Sequence, residues 1–263
     1  MFTHNIRLYL LLLTLVSFQS MAEKLIVGAQ ELDYSPHYNF SSQRDKGVGW
    51  AILEAFANHT GYEIVYVGLP VKRLQIELQK GSIDFVYPDN PRWQDSFIDK
   101  KPKTFSHSIV NTLTGTFLKP ERLASPIESL KRIALPRGFT PVKWQQQIQA
   151  EQIKIVEVDD VYEGLRLLKD GSVDGINLAY NVVDYFTRRY PELGTFTLDT
   201  SLPNKEVEFQ LSTVKYPNII AELNAFLISH KSMLDKIRQN YGMQQPETIL
   251  TRLTRQQAVD TTP

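Results

Sequence analysis

Two stretches of the chain share one pattern of apolar and polar positions. In each, a helix-like run (71–80 and 161–170) meets a glycine, and a short apolar run follows. The shared motif is Leu-Gln-Lys-Gly-Ser-Ile-Asp at 78–84 and Leu-Lys-Asp-Gly-Ser-Val-Asp at 168–174. Glycine most easily closes a helix in the left-handed conformation, and Ile or Val two residues after it favours a strand. The pattern therefore predicts two similar α/β halves with a cleft between them.

Short apolar runs alternate with amphipathic stretches along most of the remaining chain. The apolar neighbours in 24–29 are typical of a buried parallel strand, and the apolar positions in 52–57 follow helical spacing. This alternation indicates α/β units on mainly parallel sheets. Thr140 and Pro141 predict a helix N-terminus, because threonine caps helices and proline is tolerated in the first turn.

Residues 1–22 have the pattern of a secretory signal. Arg7 precedes an apolar run at 8–18, and the small residues Ser20 and Ala22 stand where a signal peptidase reads. We expect cleavage after Ala22; the alternative is an N-terminal membrane anchor, although the run is only about half the roughly 20 residues that span a bilayer. The chain has no cysteine to carry a lipid, so we expect an exported, periplasmic protein without a lipid anchor.

Composition narrows the function classes. The 263 residues are 42% hydrophobic and 11% aromatic, which suits a packed core rather than a disordered chain. Lys plus Arg and Asp plus Glu both number 29, which argues against a nucleic-acid partner and a polybasic membrane anchor. No catalytic sequence motif is present, and the five histidines lack metal-ligand spacing. We expect a monomeric binding protein without metal or cofactor, although a paired-carboxylate enzyme site stays open.

The order of these features resembles the family 3 extracellular solute-binding proteins of bacteria, periplasmic receptors best known for polar amino acids. The matching stretches cover nearly all of the chain after Ala22. They are Leu25 to Gly28 followed by Tyr34-Ser35-Pro36, then 47–56, 78–84, Phe105-Ser106, 133–140, 165–174 and the closing helices. The run Pro-Val-Lys-Arg at 70–73, before the first motif, indicates a divergent branch.

The resemblance implies an α/β chain with the two-lobed type II periplasmic binding fold, in which two hinge crossings join the lobes. It places the first lobe at 23–108 and 205–250 and the second at 109–204, and we expect a loosely ordered tail at 251–263. The ligand would lie in the cleft, beyond the carboxyl ends of the strands.

The resemblance also implies how a ligand carboxylate is held. In the family an Arg binds it as a bidentate fork, and backbone N–H groups at a helix N-terminus assist. Arg137, Gly138 and Thr140 match the turn before that helix, whose alternative role is ordinary capping.

The register of the family's Arg, residues 96–98, contains no arginine. Arg92 and Arg73 are therefore the candidates to replace it. Their alternative roles are a solvated loop charge for Arg92 and a helix-surface salt bridge for Arg73.

The family's acid, which binds the ligand ammonium group, is missing. Its expected position, five residues after Asp174, is Ala179, and the neighbours Asn177 and Tyr180 are uncharged. This departure argues against an α-amino acid ligand.

Aromatic side chains complete the candidate site, since they can stack on a ligand or cover its apolar part. Tyr34 has the strongest case, because the loop after the first strand supplies an aromatic residue in the family; core or rim packing is the alternative for each aromatic. The candidate ligand-binding residues are Tyr34, Trp50, Arg73, Tyr87, Asp89, Arg92, Trp93, Arg137, Gly138, Thr140, Asn177 and Tyr180.

The predicted function is a periplasmic solute-binding protein. It would trap a small polar or anionic ligand, an amino acid or a related compound, and present it to an inner-membrane ABC permease. The alternatives are a ligand sensor that docks on a signalling receptor and an enzyme, such as a dehydratase, on the same scaffold.

Overall fold

The computed structural model describes residues 23–93 and 101–260, so the predicted signal sequence at 1–22 lies outside the described residues. The strands are β1 (Lys24–Gln30), β2 (Glu63–Leu69), β3 (Phe85–Asp89), β4 (Thr104–Phe105), β5 (Val110–Leu118), β6 (Arg132–Pro136), β7 (Lys154–Val158), β8 (Gly175–Ala179), β9 (Thr197–Leu198) and β10 (Lys205–Thr213). The α-helices are α1 (Val48–Thr60), α2 (Val71–Lys80), α3 (Gln145–Gln149), α4 (Val161–Lys169), α5 (Tyr180–Arg189), α6 (Pro217–Ser229), α7 (Lys231–Asn240) and α8 (Pro246–Asp260).

The strands form two half-sheets that meet at two long strands. Their order is β2-β1-β3-β10-β5-β8-β6-β7, with β4 beside β10 and β9 beside β5. β1 pairs in parallel with β2 and β3, and β6 pairs in parallel with β7 and β8. β5 and β10 are antiparallel to each other and run between the halves. We call the half built on β1 to β4 the first lobe and the half built on β6 to β9 the second lobe.

Both copies of the repeated motif turn a helix into a strand, as predicted. Gly81 and Gly171 have φ angles of 81° and 75°, in the left-handed region. α2 ends at Lys80, directly before Gly81, and α4 ends at Lys169, two residues before Gly171. β3 and β8 each begin four residues after the glycine, at Phe85 and Gly175. The motif therefore has the same backbone role in each lobe.

The aspartate that ends each motif holds the neighbouring strand. The carboxylate of Asp84 accepts the backbone N–H of Ile26 in β1 (2.9 Å). The carboxylate of Asp174 accepts the N–H groups of Lys131 and Arg132, where β6 begins (both 2.8 Å). These contacts fix the relative position of two parallel strands in each lobe.

The prediction of a loosely ordered tail from residue 251 is wrong as far as Asp260, because α8 continues to that residue. Ile249 and Leu253, four positions apart, are buried on one face of the helix. The amide of Gln257 donates to the carbonyl of Leu198 in the second lobe (2.7 Å). The amphipathic spacing of these apolar residues explains why the helix packs rather than frays.

No helix in the described ranges is both long enough and apolar enough to cross a bilayer.

Candidate functional site

A cavity of about 530 Å³ lies between the two lobes. The carboxyl ends of the parallel strands face it from both sides: Gln30 ends β1, Asp89 ends β3, and Leu135 and Asn177 stand near the ends of β6 and β8. Ligands of open α/β sheets bind at this edge because the loops that follow the strands converge there. The cavity is therefore the candidate binding site.

The lobes contact each other beside the cavity. The backbone N–H of Ala179 in the second lobe donates to the hydroxyl oxygen of Tyr34 in the first (2.9 Å). The rings of Tyr34 and Phe139 lie 5.5 Å apart between centroids. A Cβ atom on Gly138 would lie 3.1 Å from Cβ of Val71 at the start of α2. The cleft is thus narrow enough for both lobes to touch one small ligand.

One wall of the cavity is apolar. Phe209 and Trp93 meet edge to face at 5.9 Å between centroids. Lys205, Val207 and Phe209 alternate along β10 and all line the cavity, since alternate residues of a strand face the same side. This wall suits the apolar body of a ligand.

Lys143 brings a positive charge to the cavity. Its ammonium group donates to Oγ1 of Thr114 (2.7 Å) and to Oδ1 of Asn177 (3.3 Å), which are both neutral acceptors. Burial, and to a smaller extent the nearby charges of Arg92 and Lys205, lower the pKa of Lys143 to about 8. The lysine is therefore still mostly charged at pH 7.

Arg92 also lines the cavity and bonds to neutral groups. Its Nε donates to Oδ1 of Asn90 (3.3 Å), and its terminal nitrogen donates to the carbonyl of Glu206 (3.2 Å). Within the ranges 23–93 and 101–260, neither Arg92 nor Lys143 forms an ion pair with a carboxylate. Both cations are available to an anionic ligand.

Among the residues of 23–93 and 101–260, two carboxylates line the cavity, Asp89 and Glu157, and both have partners. Asp89 accepts from Nζ of Lys103 (2.8 Å) and from the hydroxyl of Ser212 (2.5 Å). Glu157 accepts from the guanidinium of Arg137 (2.9 Å). Each carboxylate therefore has a cationic partner, which Glu157 shares with Asp159.

The structure brings seven of the twelve predicted residues to the cavity wall. They are Tyr34, Asp89, Arg92, Trp93, Gly138, Thr140 and Asn177. No cluster of histidine and acidic side chains that could hold a metal occurs in the part of the chain that the structure describes.

The predicted cations Arg73 and Arg137 lie outside the cavity lining. Arg73 pairs with Glu77 one helical turn away (2.8 Å), the surface salt bridge named above as its alternative. Arg137 binds Glu157 and Asp159 (2.9 and 2.6 Å) and its side chain is 60% exposed. Both cations are therefore paired with nearby acids and lie outside the cavity lining.

Three predicted aromatic residues also lie outside the lining. Tyr87 is fully buried, with its hydroxyl beneath Gly49 at the start of α1. Trp50 on α1 packs against the hydrophobic core. Tyr180 accepts a hydrogen bond from Arg252 of α8 (2.8 Å). All three take the packing role that stood as the alternative to ligand contact.

The predicted helix N-terminus at Thr140 is wrong. α3 begins at Gln145 and has five residues, and Trp144 before it forms no side-chain cap. Instead, residues from Thr140 to Trp144 form a turn in which the N–H of Val142 donates to the carbonyl of Thr140 (2.8 Å). This turn carries the Lys143 side chain into the cavity.

Sequence reasoning missed Lys143, Phe139, Phe209 and Lys205. Two signals were available: Phe139 and Lys143 lie in the same loop after β6 that holds Gly138, and Lys205 and Phe209 follow the strand alternation of β10. Their contact with the cavity depends on pairings across the chain that no local pattern gives.

Neither the scan against family models nor the search of curated proteins returned a match. Solved structures do match. An arginine transport system periplasmic binding protein from Legionella pneumophila aligns with 84% of this chain and 100% of its own, at 14% identity and a TM-score of 0.63. The GluR0 ligand-binding core in complex with L-glutamate aligns with 85% of this chain and 99% of its own, at 16% identity and a TM-score of 0.67.

A third match is AncCDT-1, an ancestral amino-acid-binding protein described as a precursor of cyclohexadienyl dehydratase. It aligns with 83% of this chain and 95% of its own, at 18% identity and a TM-score of 0.63. At these identities the likeness establishes the fold. The chain therefore has the two-lobed type II periplasmic binding fold, and the resemblance stated from the sequence is confirmed at that level.

Proposed function

We propose that the protein is an exported solute-binding protein. It closes two lobes over one small anionic molecule and presents that molecule to a membrane transporter. Strands β5 and β10, which pair with each other at 110–114 and 205–209, form the hinge.

One observation supports the proposal most directly: a cavity of about 530 Å³ is lined from both lobes, and its lining residue Tyr34 accepts a hydrogen bond from Ala179 of the opposite lobe. Small-molecule sites typically have volumes of roughly 300–1,000 Å³ and bury most of their ligand. Contact with both lobes means that a ligand stabilises the closed arrangement, which is how hinged domains trap solutes. Matching folds in proteins named for amino-acid binding support a binding role.

The seven predicted residues on the cavity wall, together with Lys143, Lys205, Phe139 and Phe209, are the proposed ligand contacts. The cationic side chains hold the anionic group, and the rings cover the rest of the ligand.

An enzyme on the same fold is the second candidate, and Lys143 is the observation that favours it. A lysine with a pKa of about 8 inside a cleft is partly neutral at moderate pH and can accept a proton. Mass spectrometry of compounds that have been incubated with the protein separates the two functions. An unchanged bound compound supports binding alone, and a changed mass supports an enzyme.

A thermal-shift screen followed by solution X-ray scattering tests the proposed function. The screen covers amino acids, organic acids and oligosaccharides. A ligand at 100 times its dissociation constant adds about 2.7 kcal/mol of stability, which corresponds to a rise in melting temperature of about 5–10 °C for a chain of this size.

A compound that raises the melting temperature is expected to reduce the radius of gyration as well, because closure brings the lobes together. If no compound in the screen raises the melting temperature, the proposed function is wrong. Genes for an ABC permease and ATPase beside the protein's own gene would favour uptake over sensing.

A further inference from the structure

Resting on the proposed function, we propose that the ligand is an organic carboxylate that has an apolar body and no ammonium group. Its carboxylate lies against Lys143 and Arg92, and its body lies against Trp93, Phe139 and Phe209. The ligand class is thus the des-amino counterpart of the amino acids that proteins of this fold bind.

The cavity is lined by several cationic side chains. Lys143, Arg92 and Lys205 line one cavity, and the charges of the other two are felt at Lys143. Within the described ranges, Lys143 and Arg92 donate hydrogen bonds to neutral oxygens of side chains and backbone. Lys72 lines the same cavity. These four like charges repel each other, and a bound anion reduces that repulsion.

The carboxylates that line the cavity in the described ranges already have partners. An ammonium group on the ligand would need an acidic partner, because an unpaired charge is costly to bury. Asp89 already accepts from Lys103, Ser212 and the backbone N–H of Asn90. Glu157 is paired with Arg137. Each carboxylate therefore already has a cationic partner, and Glu157 shares Arg137 with Asp159.

The last residue of β8 is an alanine, Ala179. Ala179 has no polar side chain, is fully buried, and its N–H is bound to the hydroxyl of Tyr34. The family resemblance placed the ammonium-binding acid at this position, and here the position closes the cleft instead. The side chain at this position therefore offers no carboxylate to a ligand ammonium group.

Matched pairs of compounds test the inference, since the members of each pair differ only in the α-ammonium group. The pairs are 3-phenylpropionate with L-phenylalanine, 4-methylpentanoate with L-leucine, and hexanoate with L-norleucine. Affinity is measured at pH 7 by isothermal titration calorimetry and by intrinsic tryptophan fluorescence, to which Trp93 on the cavity wall contributes. We expect at least one carboxylate to bind at least ten-fold more tightly than its amino acid.

Three variants locate the carboxylate. Lys143→Met keeps the length of the side chain and removes its charge, and should weaken the carboxylate at least ten-fold. Lys143→Arg retains the charge and should recover most of the affinity even if the methionine variant is poorly folded. Lys154→Met, on the exposed side of β7 and away from the cavity lining, is the matched control and should bind like the parent.

The failures of the two proposals are distinguishable. If an amino acid binds as tightly as its des-amino partner, the inference is overturned and the binding function stands. The same holds if Lys143→Met binds the carboxylate like the parent. If no member of any pair binds while the wider screen finds a ligand, the inference alone is overturned. If the wider screen also finds none, both proposals fall.

Discussion

Lys143 is subject to two opposed effects. Removal from water and the charges of Arg92 and Lys205 disfavour its ammonium form, whereas hydrogen bonds to Thr114 and Asn177 hold that form in place. The carboxylates nearest in the cavity, Asp89 and Glu157, are occupied by other cations. An anionic ligand would therefore give Lys143 a negatively charged partner. That charge should raise the pKa of the lysine above about 8.

The affinity for an anion should consequently depend on pH in a defined direction. Binding needs the protonated lysine, so the affinity for a carboxylate such as 3-phenylpropionate should be constant below about pH 8. It should then fall as pH rises, by up to roughly ten-fold per pH unit between the pKa of the unliganded protein and that of the complex. Calorimetric titrations from pH 6 to 10 measure this profile.

The stability of the unliganded protein should show the opposite sign. The pKa of Lys143 is lower in the folded chain than in the unfolded one, so between about pH 8 and 10.5 the unfolded state binds more protons. The contribution of Lys143 to stability therefore rises with pH in that window. Urea unfolding of the parent and of Lys143→Met isolates this contribution. A difference between the two proteins that is independent of pH would contradict it.

At the scale of elements, the repeated motif shows what the sequence could predict. A glycine followed by a β-branched residue specifies a helix end and a strand start locally, and both turns form as expected at Gly81 and Gly171. The role of the motif's aspartate is less local, because Asp174 binds Lys131 and Arg132, more than 40 residues earlier. The motif therefore orders neighbouring strands as well as its own turn.

Removal of this carboxylate should destabilise the second lobe. Asp174→Ala leaves two backbone N–H groups without their acceptor, and hydrogen bonds to a charged group are worth about 1.5–3 kcal/mol. Urea unfolding should show a loss in that range, and Asp174→Asn should lose less because it retains one acceptor. Asp170→Ala, an exposed partner of Arg166 in the same motif, is the control and should cost about 0.5 kcal/mol or less. Equal losses at both positions would contradict the strand-holding role.

The candidate site was only partly predictable, for a physical reason. Tyr34, Arg92 and Trp93 follow strands at their carboxyl ends, and that local rule sufficed to find them. Arg137 obeys the same rule but is held by Glu157 and Asp159, which the sequence places 20 and 22 residues away. Ion pairs between neighbouring strands decide which cations stay unpaired. Such pairs depend on strand order, which local patterns do not specify.

At the scale of the whole molecule, the contact between the lobes and the cavity share a residue, Tyr34. Tyr34 lies within the cavity lining and also accepts the N–H of Ala179 across the cleft. A ligand that contacts both lobes favours the closed arrangement. The hydrogen bond between Ala179 and Tyr34 favours the same arrangement, because it joins the two lobes. Loss of the hydrogen bond should therefore weaken ligand binding, even for a ligand that never touches the phenol oxygen.

Tyr34→Phe isolates this effect, because it keeps the ring contact with Phe139 and removes only the hydroxyl. The N–H of Ala179 then has no acceptor in the closed arrangement, which costs that arrangement about 1 kcal/mol. Affinity should fall roughly five-fold, and the radius of gyration of the unliganded protein should increase. Tyr38→Phe is the matched control, since its hydroxyl also lies at the cavity but donates to Gln30 within the same lobe. An increase in size for Tyr38→Phe as large as that for Tyr34→Phe would show that the Tyr34 contact does not hold the lobes together.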